Sequence, residues 1–262
     1  TYQESMRDAE KQKDTQDRER MVQAEDNLER LAAKAKCEMD ENPGNPTKVN
    51  NYVELLCRQE NEENERRAIK VLVAHYKEYS DYRFKQQAED LRIKQMKRAV
   101  RKARAGEDQE SVKKLRIELL TFELKVYRER VKQYPTDNRV KFLYATRLMQ
   151  SGKLDDAIPM FQTARADSKV RVEADLNLGR CFYEMKFYAQ AIGTLSKAVE
   201  SYEIADNNTG KELRYWLARS MEADGLLKEA GETYGLVLEL DYNFRDVRDR
   251  LQGSRTKGDG GS

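Results

Sequence analysis

The residues of this chain that could do chemistry are few and scattered. Its single histidine, His75, stands in the run "VLVAHYKEY" beside Leu72, Val73 and Tyr76, and no serine or cysteine nucleophile or carboxylate makes a recognisable catalytic set with it. Cys37, Cys57 and Cys181 are three in number, far apart, and form neither a C-x-x-C pair nor a Cys/His cluster. That pattern argues against a metal site and fits a reducing, cytoplasmic compartment. Acidic pairs such as Asp155 and Asp156 carry little specificity in a chain that is 37% charged, and no glycine-rich phosphate loop is present. The expectation is a non-enzymatic protein without metal or cofactor.

The other candidate for chemistry is electrostatic. The stretch "RIKQMKRAVRKAR" holds Arg92, Lys94, Lys97, Arg98, Arg101, Lys102 and Arg104 and not one acid. Ile93, Met96, Val100 and Ala103 recur at three- and four-residue steps within it, which predicts an amphipathic helix with one packed stripe and a basic outer arc. The wider segment from Arg83 to Lys132 has 16 bases against 8 acids, a local excess of +8, although the whole chain carries only +2. Nucleic-acid binding gains from aromatics interleaved with cations, and none falls between Arg92 and Arg104. The stripe is also narrow for a membrane-surface helix and lacks Trp or Phe. A solvated face is therefore expected first, docking of an acidic partner second, and nucleic acid last.

These residues need elements to position them. Four prolines, 8% aromatics and no run of alternating β-branched residues favour an all-helical chain, and no apolar run approaches the roughly 20 residues of a membrane span. Residues 1–40 read as a polar helix or arm whose apolar stripe begins at Leu28, with Leu31, Ala32, Ala35 and Met39 following. "ENPGNP" stops it. Residues 41–81 read as a helical hairpin with Tyr52, Leu55 and Leu56 on one helix and Ala68, Leu72 and Tyr76 on the other. Residues 82–134 read as a long basic hairpin broken at "AGEDQE", where Gly106 suits the turn and Glu107, Asp108 and Glu110 suit the next helix start. The chain starts at Thr1 and ends "RTKGDGGS", so 253–262 read as a flexible linker and the whole as a piece of something longer, with any anchor or signal lying elsewhere.

From Pro135 a repeat emerges. "VKFLYATRLMQSGKLDDAIPMFQTA", "ADLNLGRCFYEMKFYAQAIGTLSKA" and "LRYWLARSMEADGLLKEAGETYGLV" each carry a small residue (Ala145, Gly179, Ala218), a bulky one (Leu148, Phe182, Met221), a turn, and a helix led by Ala157, Ala191 or Ala230. The alanines are 34 and 39 residues apart, the longer step absorbing the polar insert "EIADNNTGK". Small residues let neighbouring helices approach, bulky ones fill the groove beside them, and each hairpin leaves a face that only the next can bury. "NFRDVRDRLQGS", with Phe244, Val247 and Leu251 at helical spacing, fits a closing helix, so 135–252 read as three repeats and a cap.

This pattern resembles the tetratricopeptide repeat family: the pair Leu178 and Gly179, the turns at Gly152 and Gly225, and the alanines followed four residues later by Phe161, Leu195 or Tyr234. The resemblance implies an all-α, right-handed α-α superhelix, interrupted here by the long irregular hairpin in the middle. It implies a scaffold for a peptide or protein partner, held on a concave surface lined by the first helix of each repeat. By that alignment the candidate surface comprises Arg139, Phe142, Thr146, Asn177, Arg180, Tyr183, Glu184, Tyr215, Arg219 and Glu222, with Phe142 and Tyr215 equally fitting inter-repeat packing. Trp216, beside Tyr215, is expected in the packing between the last two repeats.

Overall fold

The computed structural model describes residues 26–59 and 61–259. Every described element is an α-helix, and the chain divides into two compact units, one up to Leu119 and one from Leu120 onward. Most of the polar N-terminal segment, residues 1–25, lies outside the described residues, as do 260–262 at the tail.

The first unit holds α1 (residues 26–41), α2 (Pro46–Arg58), α3 (Glu62–Tyr79), α4 (Tyr82–Ala105) and the beginning of α5 (Gln109–Gln133). Its helix starts are written in the sequence. Asn45 accepts a hydrogen bond from the Thr47 amide at 3.0 Å while Pro46 occupies the first turn of α2, where its missing N–H costs nothing. Asn61 caps α3 from the Asn64 amide at 2.7 Å, and Glu62, Glu63 and Glu65 face the positive end of its dipole. Ala32, Ala35 and Met39 of α1 are buried with Val49, Tyr52, Leu56, Ala68, Leu72 and Phe84. Leu31 departs from the expected stripe and is 42% exposed, because the buried line runs through Ala32, Ala35 and Met39 and leaves its neighbour off to one side. The break after α4 also differs in detail. Gly106 keeps a negative φ, and Glu107 takes the left-handed conformation at φ 56°, after which Asp108 accepts from the Ser111 amide at 3.0 Å.

The second unit contains the rest of α5, then α6 (Asn138–Gln150), α7 (Leu154–Ala164), α8 (Arg171–Glu184), α9 (Tyr188–Ser201), α10 (Asn208–Ala223), α11 (Leu227–Leu240) and α12 (Val247–Asp259). Each helix from α6 onward packs on the next in chain order, and α8 also touches α6 and α10. Ala145 and Ala218, the leading Ala157, Ala191 and Ala230, and the bulky Phe161, Leu195 and Tyr234 have no exposed surface. Gly179 shows why the small position must be small: a Cβ there would lie 2.5 Å from Leu195 Cγ. Gly152 and Gly225 turn the first and third hairpins at φ 77° and 88°, and Lys186 does the same work in the second at φ 63°. In the insert, Asn207 accepts from the Gly210 amide at 2.8 Å and so starts α10. Phe244, Val247 and Leu251 are buried against α10 and α11. α12 continues to Asp259, past residue 253, where the glycines of the tail suggest a linker.

Candidate functional site

The first helices of the second and third repeats, α8 and α10, bring four of the ten candidates together. Trp216 sits between two guanidinium groups, with Arg180 Cζ 5.0 Å and Arg219 Cζ 5.1 Å from its ring centre. Arg219 also lies 4.8 Å over the ring of Tyr183 and donates from Nη2 to its hydroxyl at 2.7 Å. Tyr183 and Trp216 meet edge to face at 5.4 Å, and Asn177 accepts from Arg180 Nη1 at 3.4 Å. The buried Nε of Arg219 has no hydrogen-bond partner, and the surrounding rings account for its burial. Neither arginine makes an ion pair with a described carboxylate, in contrast to Arg139, Arg147, Arg165, Arg245 and Arg250.

Five of the other six candidates are otherwise engaged. Tyr215 is buried, packs edge to face on Phe244 at 6.0 Å and donates its hydroxyl to Asp246 at 2.7 Å. Glu222 accepts from the Tyr234 hydroxyl at 2.8 Å and from Arg250 at 2.9 Å, which ties α10 to α11 and α12. Burial, reinforced by that bond, pushes the Tyr234 phenol far above its ordinary range. Phe142 is half-buried and meets Phe161 of its own hairpin edge to face at 5.9 Å, and Thr146 donates to the Phe142 carbonyl at 2.8 Å. Arg139 is drawn to Asp167 at 3.2 Å. Glu184 is exposed at the end of α8. Trp216 is only 5% exposed, as a packing residue should be, yet it also forms the platform for both arginines. No single residue type in the sequence announces that double role; it comes from helix spacing, with Arg219 three residues beyond Trp216 and Arg180 on the neighbouring helix.

The basic stretch reads differently once α3 is beside it. Ile93 and Val100 are buried, as the stripe predicts. The acids absent from residues 92–104 stand on α3: fully buried Glu65 accepts from both Nη atoms of Arg98 and from Gln95 at 3.3 Å, and Lys94 lies 3.7 Å away. Burial alone would push Glu65 up, but the bonds from Arg98 and Gln95 and the nearby positive charges outweigh it and hold the carboxyl below its usual range. Lys102 pairs with Glu62 at 3.0 Å. Arg92 donates to Gln95 at 3.3 Å, Lys97 is partnered as well, and Arg101 and Arg104 are exposed.

His75 is buried, with Nδ1 2.8 Å from the Val71 carbonyl and its ring against Tyr79 and Phe84. Burial pushes the Cys181 thiol up to about 12. Among the described residues no group of His, Cys, Asp and Glu could hold a metal ion, and no helix is long and apolar enough to cross a membrane.

Stacked two-helix units with small residues at the close approaches define a helical-repeat protein. Comparison with known proteins specifies the repeat: residues 143–208 match the model of the tetratricopeptide repeat. Among solved structures, YrrB, described as a TPR protein with an unusual peptide-binding site, is similar at 13% identity and TM-score 0.53, over 86% of this chain and 99% of its own. The C-terminal part of a TPR repeat-containing protein from Cytophaga hutchinsonii aligns at 18% identity and TM-score 0.50, over 80% and 71% of the two chains. The APC/C hetero-tetramer Cut9-Hcn1 aligns at 10% identity and TM-score 0.50, over 87% of this chain and 40% of that one. No curated protein matches the sequence. Residues 143–208 therefore match the tetratricopeptide repeat, and the described residues share the all-α, TPR-like superhelical fold of these structures.

Proposed function

We propose that the chain is a non-catalytic scaffold that holds a peptide or protein segment against the face of α8 and α10 carrying Asn177, Arg180, Tyr183 and Arg219. The observation that carries the reading is the pair of arginines fixed on the Trp216 and Tyr183 rings without a carboxylate partner. Ring stacking holds each guanidinium at little entropic cost on binding, and its remaining N–H groups suit a backbone carbonyl or carboxylate. Arginine and aromatics are also the residue types that anchor interfaces. The peptide-binding site described for YrrB belongs to that protein and lends the idea plausibility through the shared fold alone.

Trp216 is the only tryptophan, so its emission reports directly on this face. The test is affinity capture with the wild-type chain and the R180A/R219A variant as baits, followed by titration of the captured partner while Trp216 fluorescence is read. Capture lost in the variant, with a cooperative helical melt retained, supports the site. Equal capture by both baits, or a partner that binds without altering Trp216 emission, removes it.

A further inference from the structure

The pocket framed by α5, α6 and the turn into α7 is a separate feature, and the inference from it does not rest on the Arg180 face. Its volume is about 460 Å³, within the range of clefts that enclose a ligand side chain. Lys125, Arg128 and Lys132 reach it from one face of α5, at helical spacings of three and four, and Lys153 closes it from just before α7. Glu129 is the one acid in the lining, so four cations face one carboxylate, a local balance of +3. None of the four cations makes an ion pair or hydrogen bond with another described residue. Nearby Arg147, by contrast, is held by Glu123 at 2.9 Å. The remaining lining is apolar or aromatic: Leu124, Tyr144 and buried Leu148.

We propose that this pocket docks an acidic peptide segment of a partner protein in which carboxylates flank one apolar side chain. Charge complementarity sets the sign of the occupant, since uncompensated cations around a partly desolvated cleft raise the local concentration of anions and steer their approach. The leucine floor sets the rest. A phosphate chain leaves the half-buried Leu124 uncovered, and one tyrosine gives no row of rings for stacked bases. A peptide satisfies both, its apolar side chain covering the floor while its carboxylates meet the lysines and Arg128.

The test uses the full chain and a random twelve-residue phage-displayed peptide library. Peptides are selected on the wild type and counter-selected on K125Q/R128Q/K132Q/K153Q, then made as fluorescein-labelled synthetic peptides for anisotropy. The survivors should be rich in Asp and Glu around a single Leu, Phe or Trp. Their affinity should fall at least about tenfold in the quadruple variant and when the apolar residue becomes Gly, weaken with added salt, and stay unchanged in R180A/R219A. The double variant K125Q/R128Q, which perturbs half as many exposed side chains, should show an intermediate loss. The proposal is overturned if no peptide survives counter-selection, if survivors carry no acidic excess, if the Gly peptide binds equally well, or if a twelve-nucleotide oligo-dT displaces the peptide at lower concentration than the unlabelled peptide does.

Discussion

Replacing Arg98 with Ala tests whether the basic helix exists for docking or for its own packing. Glu65 is fully buried and takes two hydrogen bonds from Arg98, one from Gln95 at 3.3 Å and the attraction of Lys94 at 3.7 Å. Removing one partner of a buried charge pair costs about 3–5 kcal/mol, because the other charge stays desolvated. Gln95 and Lys94 remain in the variant, which places the expected loss at the lower end, about 3 kcal/mol, or roughly a hundredfold in local opening. The acid-side variant should behave differently. Glu65→Gln leaves Arg98, which is already partly in contact with solvent, free to hydrate, so its cost should be nearer about 1–2 kcal/mol. R98A/E65Q should therefore be more stable than R98A alone, the mark of an uncompensated charge and not of lost contact area.

The pH dependence gives the sign independently. A carboxyl whose folded-state pKa is depressed contributes stability above its unfolded value near 4.5 and loses it as pH falls through the folded value. In R98A that depression is gone, so the deficit relative to wild type should be full at neutral pH and shrink as pH approaches 4. Amide hydrogen exchange of α3 and α4, followed by mass spectrometry at pH 7 and pH 4, reads this locally. Unchanged protection in R98A at pH 7, or a deficit that persists undiminished at pH 4, would refute the account of Glu65 as a carboxylate kept ionised by α4.

Three other outcomes follow from local backbone geometry and burial. Gly179→Ala should destabilise the second hairpin by about 1–2 kcal/mol in urea unfolding, since a methyl 2.5 Å from Leu195 Cγ outweighs the gain in helix propensity. Lys186→Gly should raise stability by about 0.5–1 kcal/mol, because φ 63° is strained for lysine and glycine already fills the equivalent turns at Gly152 and Gly225. Toward Ellman's reagent at pH 8, exposed Cys37 should react first, Cys57 more slowly because burial raises its thiol, and Cys181 only on unfolding; a Cys181 as fast as Cys37 contradicts its burial on the packed face of α8.

Periodic features were legible from the sequence because they are set by local spacing. The small and leading positions, and the large residue four after each leading alanine, are buried in all three repeats, since a close helix approach tolerates nothing larger at Gly179 or Ala145 and burial demands something large at Phe161 and Tyr234, whereas the bulky Phe182 and Met221 are half-buried. Side-chain engagement was not legible, because it depends on partners far along the chain. Phe142, Tyr215 and Glu222 stand on first helices as the family pattern requires, but their distant neighbours Phe161, Asp246, Tyr234 and Arg250 determine that they pack or bond inward. Glu107 in place of Gly106 at φ 56° is a miss of the same kind: the hydrogen bond from the Asp108 amide to the Ala103 carbonyl closes a turn that composition alone assigns to glycine.

The same distinction governs the charge. An excess of +8 over Arg83 to Lys132 is a property of a segment, whereas attraction to a partner depends on which cations lack a counter-charge after folding. On α4 the densest run of bases is substantially neutralised by an adjacent helix, since Arg98, Lys94 and Lys102 serve Glu65 and Glu62. On the later part of α5 the cations are sparser, but Lys125, Arg128 and Lys132 have no ion-pair partner among the described residues and line a pocket with Leu124 and Tyr144. Density along the sequence therefore ranks these two regions in the opposite order from the folded chain. Substituting Lys125 and Arg128 should weaken an acidic ligand with little change in helix protection, whereas substituting Arg98 should weaken α3 and α4 with no ligand present.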